Sequence, residues 1–346
     1  YGMKMALSFM SRPASDPGTY AMMGKLPNRA DFVRLNAVHP VVGEFDGLVQ
    51  TALEQMSAGL GWETRYDAAP RTDFYYTSAD KRWVFYGGWQ ASRDSSGRRY
   101  PFVAGVIRPV EDLSAEASLV PISLEVFFDG LHSQIANAID NSVEAVSCRE
   151  FLQANCVAEA RNDADKGLAR GLVRQFLESH TVAELEGFLV ATCIPSLQEA
   201  LLNIAFYLAF LRRYENPAVI QEIALPLPVG KGEGALYAST WLTLLTALWG
   251  KKPWTGSYFL HAGTSAPGLS VSFGRMPRKL GYVFDGHGSN GAESALDLGK
   301  ENELWRGHPE YAETAFALGR VLSDPRQPLS IVADLLAEIG KKLSAA

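Results

Sequence analysis

Cysteine is scarce. The 346 residues hold three, Cys148, Cys156 and Cys193, with no CxxC pair. An odd number leaves at least one thiol unpaired within the chain. That argues against a disulfide framework or a zinc ribbon and for a reducing cytosol, with the three thiols acting as small buried hydrophobes. A basic stripe is also missing. Arg98-Arg99, Arg212-Arg213 and Lys251-Lys252 are only pairs, in a chain of formal charge −6 and pI near 5.6. A nucleic-acid role is therefore disfavoured. No stretch reaches the roughly 18–20 apolar residues of a membrane span. The most apolar runs, Leu201–Leu211 and Ala235–Trp249, read as buried helices. Residues 1–10 show no apolar segment followed by a small-residue cleavage site, so a cytoplasmic location is expected.

What is present describes a globular chain. Apolar residues make up 47%, enough to bury a core, and charged residues 20%, a little under the usual quarter or about 25%. Residues 11–19 (SRPASDPGT) read as a loose leader, so 1–19 are expected to be flexible. Tyr20–Lys25 reads as a first strand and 26–37 as a polar connection. A helix is expected over Val41–Leu60, where Val42, Phe45, Leu48, Val49, Ala52 and Met56 share a face. Strand formers fill Asp73–Ser78, Trp83–Trp89 and Phe102–Ile107.

The middle, about 120–215, reads as helical: Leu124–Ile139, Val143–Ala158, Lys166–Ser179, Val182–Ala191 and Ser196–Tyr214. Ser147 and Thr181 are expected N-caps, and Thr181 with Glu184 spells a capping box, as does Ser196 with Glu199. Strands return at Val219–Leu227, Ser257–Ala262 and Leu269–Phe273, around a helix at Ala235–Trp249. A glycine-rich loop follows at Gly281–Gly291, then helices at Tyr311–Ser323 and Leu329–Leu343. In the last, Ile331, Leu335, Ile339 and Leu343 mark an apolar face. Alternating strands and helices predict an α/β fold, a three-layer α/β/α sandwich with a mixed sheet and helical elaboration. One α/β domain is expected over 20–300, with a helical extension at 301–346.

Two motifs stand out. The first, Gly24-Lys25-Leu26-Pro27-Asn28-Arg29-Ala30-Asp31-Phe32-Val33-Arg34, is a strand end and a turn. Gly24 permits tight geometry, Pro27 fixes the exit, and Asp31 lies within reach of Arg34 for a local ion pair. The second is the loop from Gly87 to Pro101. In it Asp94 is placed for an Asx-turn, Gly97 for positive φ, and Arg98 for a carboxylate such as Asp94 or Asp31. Each motif by itself reads first as a rigid loop and second as a recognition edge.

Together the motifs resemble the TagF family, also called ImpM, of type VI secretion accessories. Gly24, Lys25, Pro27, Asp31, Phe32 and Arg34 fit the family's first pattern, with Ala30 where the family has glycine. Ser92, Asp94, Gly97, Arg98, Tyr100 and Pro101 fit its second, with Ala91 in place of proline. Phe45-Asp46-Gly47-Leu48 keeps the family aspartate, Asp46, but neither tryptophan around it. The resemblance implies the three-layer sandwich and a non-catalytic, post-translational repressor of secretion-system assembly. It also implies action by binding a forkhead-associated scaffold protein, with no cofactor. Asp31, Arg34, Asp94 and Arg98 are expected to join the two loops.

Signals for chemistry are weak. Val229-Gly230-Lys231-Gly232-Glu233-Gly234 lacks phosphate-loop spacing. Asp285, His287 and His261 lack the close pairing of a zinc site. No G-x-S-x-G elbow appears. A hydrolase or phosphatase-like enzyme using Asp31, Ser92, Asp94 and Arg98 is the alternative, and a structural subunit of the apparatus a third.

Overall fold

The computed structural model describes residues 19–113, 116–140, 145–158, 163–214, 221–230, 232–250, 253–261, 267–273, 295–300 and 302–345. Nearly all of the leader and the whole Gly281–Gly291 loop lie outside them, as do Asp285, His287, Lys231 and the Lys251-Lys252 pair. Eight strands are described: β1 Thr19–Gly24, β2 Val33–Leu35, β3 Thr72–Thr77, β4 Trp83–Gln90, β5 Phe102–Pro109, β6 Ile223–Pro226, β7 Gly256–His261 and β8 Gly268–Phe273. They form one sheet in the order β2-β1-β5-β4-β3-β7-β8-β6. Every ladder among them is antiparallel, so the expectation of a mixed sheet is corrected. The reason is local: β3, β4 and β5 follow one another through short connections, and short connections join antiparallel strands.

The strands are apolar on both faces because both are covered. Ala21, Met23, Phe74, Tyr76, Phe85 and Phe259 point to one side. There they meet Val41, Phe45, Val49 and Met56 of α1 (Pro40–Ser57) and Tyr66 of α2 (Trp62–Asp67). Phe45 stacks on Phe74 with ring centroids 4.4 Å apart and meets Phe85 edge-on at 5.3 Å. Truncating it to alanine would cost about 3–5 kcal/mol. Pro40 at the first turn and the His39 imidazole, which accepts from the Val41 N–H, start α1 at this point.

Met22, Tyr75, Tyr86, Ala104 and Val106 point to the other face, into a larger core. That core begins with the short helices α3 (Val110–Leu113) and α4 (Val120–Ser123) and the 3-10 turn Ala117–Leu119 between them. Five longer helices follow: α5 (Glu125–Asp140), α6 (Ala145–Ala158), α7 (Asp163–Ser179), α8 (Val182–Ala191) and α9 (Leu197–Arg213). It continues with α10 (Gly234–Trp249), which follows β6, and then with α11 (Glu303–Arg306), α12 (Tyr311–Leu322) and α13 (Leu329–Ala345).

Thr181 forms the expected capping box with Glu184, and Ser196 accepts from the Glu199 N–H. Ser147 is no cap, because α6 already begins at Ala145. In α13 the buried stripe is Val332, Leu336, Ile339 and Leu343, while Ile331 is exposed and Leu335 half-buried. A strict four-residue repeat drifts around a helix of 3.6 residues per turn, and the alternation of four and three holds one face.

Candidate functional site: two loops fused at one end of the sheet

The first motif leaves the end of β1 and the second bridges β4 to β5, so the sheet brings both to one end. Gly24 has φ +132°, and a Cβ there would sit 2.1 Å from the Pro101 carbonyl oxygen. The first motif's glycine and the second motif's proline are thus in backbone contact. Arg29 accepts from the Ser95 N–H at 3.0 Å, and the Ser92 hydroxyl donates to the Lys25 carbonyl at 2.7 Å.

Asp94 is the hub. Its side chain is fully enclosed and takes the Lys25 ammonium at 3.0 Å and the Arg98 Nε at 2.7 Å on one oxygen. The other oxygen accepts from the Ser96 and Arg98 N–H groups at 3.0 and 2.9 Å and from the Ser96 hydroxyl at 2.7 Å. Gly97, at φ +83°, turns the chain so that both amides face inward. Burial alone would raise this carboxyl. The hydrogen bonds from Ser96, Lys25 and Arg98 outweigh burial and hold it well below the usual carboxylate range.

Arg98 also donates from Nη2 to the Ala30 carbonyl at 3.0 Å. Arg34 lies 3.9 Å from Asp46 of α1, and its guanidinium sits 5.0 Å from the centre of the Phe32 ring. Phe32 packs edge-on against Tyr100 at 4.9 Å, and the Tyr100 hydroxyl donates to Asp46. Behind the second loop, the buried Tyr66 hydroxyl donates to the Ser92 carbonyl at 3.0 Å and accepts the Ser92 N–H at 3.1 Å. Arg99 grips Asp67 of α2 through Nε and Nη2 at 2.9 and 2.7 Å.

The two loops do meet, by different pairs than the sequence indicated. Arg34 pairs with Asp46 instead of Asp31, and Asp94 takes Lys25 across the gap. Asp31 is exposed and stands outside the network. Pro27 is half-buried, and Pro101 is buried at the entry to β5. Lys25 as the partner of Asp94, and Tyr66 as the brace, carried no local signal. They lie 69 and 26 positions from Asp94 and Ser92, and only the fold joins them.

Sequence reading also passed over a buried pair on the other face of the sheet. His132 Nε2 of α5 lies 2.5 Å from Asp73 of β3, and His132 Nδ1 is buried with no partner among the described residues. Gly88 leaves room for that ring, since a Cβ there would approach its Cε1 to 2.8 Å. His261 is buried in β7 with Nδ1 3.1 Å from the Thr72 hydroxyl. Among the described residues, no group of His, Cys, Asp and Glu is arranged to hold a metal ion. No helix among them is long and apolar enough to cross a membrane.

This is a mixed α/β protein in which two polar loops are welded into one rigid end of an antiparallel sheet. Residues 21–155 match the family model of the TagF N-terminal domain, described as type VI secretion system-associated. That span contains the whole two-loop platform with α1, α2 and α5, so the likeness to a type VI secretion system-associated domain covers the part of the chain that carries both motifs. No curated protein matches the chain. Among solved structures, the crystal structure of PA0076 from Pseudomonas aeruginosa PAO1 is similar at 16% identity, over 78% of this chain and 96% of that one, with a TM-score of 0.40.

Proposed function

We propose that this chain is a non-catalytic, cytoplasmic, post-translational repressor of type VI secretion system assembly, acting by binding a forkhead-associated scaffold protein. The observation that carries the reading is the TagF N-terminal match over 21–155, which includes a platform whose motif residues, Asp31 apart, are largely spent on holding their own loops. A catalytic carboxylate works best with a pKa near the operating pH. Asp94 is held far below that by its five hydrogen-bonding and ionic contacts. A serine nucleophile needs an adjacent base, whereas Ser92 donates to a backbone carbonyl. Such a rigid loop assembly on a sheet suits binding.

The test has two arms. The full chain is expressed in a bacterium with an active type VI system, and a secreted effector is quantified in the supernatant. The purified chain is then used to capture the purified forkhead-associated scaffold. Lower secretion with direct capture is expected. Unchanged secretion together with no capture overturns the reading.

A further inference from the structure

We infer that the exposed arginines of the fused loops form a docking surface for an acidic, extended segment of a protein partner. This deepens the reading above and rests on it. Segments 25–34 and 92–99 contain six cations and two acids, in a chain whose formal charge is −6. Of the two acids, Asp94 is enclosed; outside the segments, Asp46 and Asp67 pair with Arg34 and Arg99, and the exposed Arg29, Arg93 and Arg98 leave a local positive excess. Arg98 lands on the Ala30 carbonyl, between Arg29 and Arg34 along the first loop. The Arg98 side chain remains 65% exposed and that of Arg34 64%.

Both guanidinium groups are pre-set. Arg98 spends Nε on Asp94 and one Nη2 hydrogen on Ala30, leaving three of its five N–H donors free. Arg34 rests against the Phe32 ring and lies 3.9 Å from Asp46. Side chains already held this way lose little freedom on binding, and a planar fork suits carboxylates. Arg29 is exposed beside them, and its side chain has no partner among the described residues. Within the two segments Asp31 is the one exposed acid, and unlike the exposed Asp67 of α2 it has no ion pair among the described residues. A negative segment passing over the surface would be repelled by it, which gives the inference a sign that can be checked.

The experiment measures fluorescence anisotropy of a fluorescein-labelled glutamate-rich peptide against the full chain, with Arg29→Glu, Asp31→Asn and a distant control, Arg326→Glu. Arg29, Asp31 and Arg326 are all exposed, so the variants should keep the parent's unfolding midpoint. Expected are binding that weakens with added salt, a loss of about tenfold for Arg29→Glu, a gain of a few-fold, about 2–5, for Asp31→Asn, and no change for Arg326→Glu. A wild-type chain that ignores the peptide overturns the inference, as does an Arg29→Glu variant that binds equally well or an Asp31→Asn variant that binds less. Tighter binding to duplex DNA or to phosphatidylserine vesicles than to the peptide also overturns it. Failure here leaves repression standing, because the secretion and capture assays decide that separately; failure there leaves the peptide result standing.

Discussion

Removing the same atom from two buried tyrosines should change stability in opposite directions. Tyr66 and Tyr75 are both fully buried. Among the described residues the Tyr66 hydroxyl is the one acceptor of the Ser92 N–H, and it is a second donor to a carbonyl that also accepts from the Tyr100 N–H at 3.1 Å. In Tyr66→Phe the Ser92 N–H is stranded, at about 1–3 kcal/mol, and the carbonyl loses one of two bonds, at about 0.5–1.5 kcal/mol. The sum is a loss of about 1.5–4.5 kcal/mol. The Tyr75 hydroxyl has no partner among the described residues. Its ring stacks on Tyr258 at 5.0 Å, a contact phenylalanine keeps. Tyr75→Phe removes an unsatisfied buried hydroxyl and should gain about 1 kcal/mol. Urea unfolding followed by circular dichroism reads both, as shifts in midpoint at unchanged slope. Tyr66→Phe within about 0.5 kcal/mol of the parent, or Tyr75→Phe the weaker of the two, would refute the role given to Tyr66 as a brace.

The remaining expectations concern charge, backbone and thiols. Asp94 has a folded-state carboxyl held below its ordinary value of 3.8, so its contribution is complete above about pH 4 and fades as pH falls through the lower folded value. Asp94→Asn should therefore be less stable than the parent at pH 7, with the gap narrowing in acid titrations; a constant gap would contradict the linkage. Gly87→Ala should fail to give soluble folded protein, because its Cβ would lie 2.1 Å from the Ala104 oxygen and 2.5 Å from the Gly105 Cα. Gly97→Ala meets nothing within 4 Å and should cost only the left-handed backbone penalty, about 1–2 kcal/mol, by the same urea assay. A thiol reagent should label Cys193 alone in the native protein and all three cysteines in urea. Cys148 and Cys156 are buried, and burial pushes their thiols up to about 12 and about 11.

How much of this was legible in the sequence depended on the reach of each interaction. β3, β4, β5, β7 and β8 are aromatic and aliphatic runs bounded by polar turns, and their ends fall within a residue or two of those read from the chain. β2 carries no strand signal of its own in the sequence, being a three-residue edge strand of mixed exposure held by its ladder to β1. α2 was missed because it is six residues long and buries only Tyr66. At the platform the Asx-turn at Asp94 and the positive φ of Gly97 were local and readable. So was the Arg98–Asp94 pair; the longer-range pairs were not, since Lys25 reaches Asp94, and Arg34 reaches Asp46, only because β1, β5 and α1 are folded side by side. Sequence proximity pointed Arg34 at Asp31, three residues away, while the turn leaves Asp31 facing solvent.

That division bears on what a motif of this kind encodes. Gly24 and Pro101 set a backbone contact, Asp94 gathers Lys25 and Arg98, Phe32 and Tyr100 pack, and Asp46 closes the circuit with Arg34 and Tyr100. Removing any of these loosens the loop before it touches a partner, so loss of function in such a variant says little about contact. Arg29 and Asp31 are different, because they project from the same loop and are not used to hold it. Opposite charges at two neighbouring, structurally idle positions should then shift partner affinity in opposite directions at constant stability, which a purely structural motif would not produce.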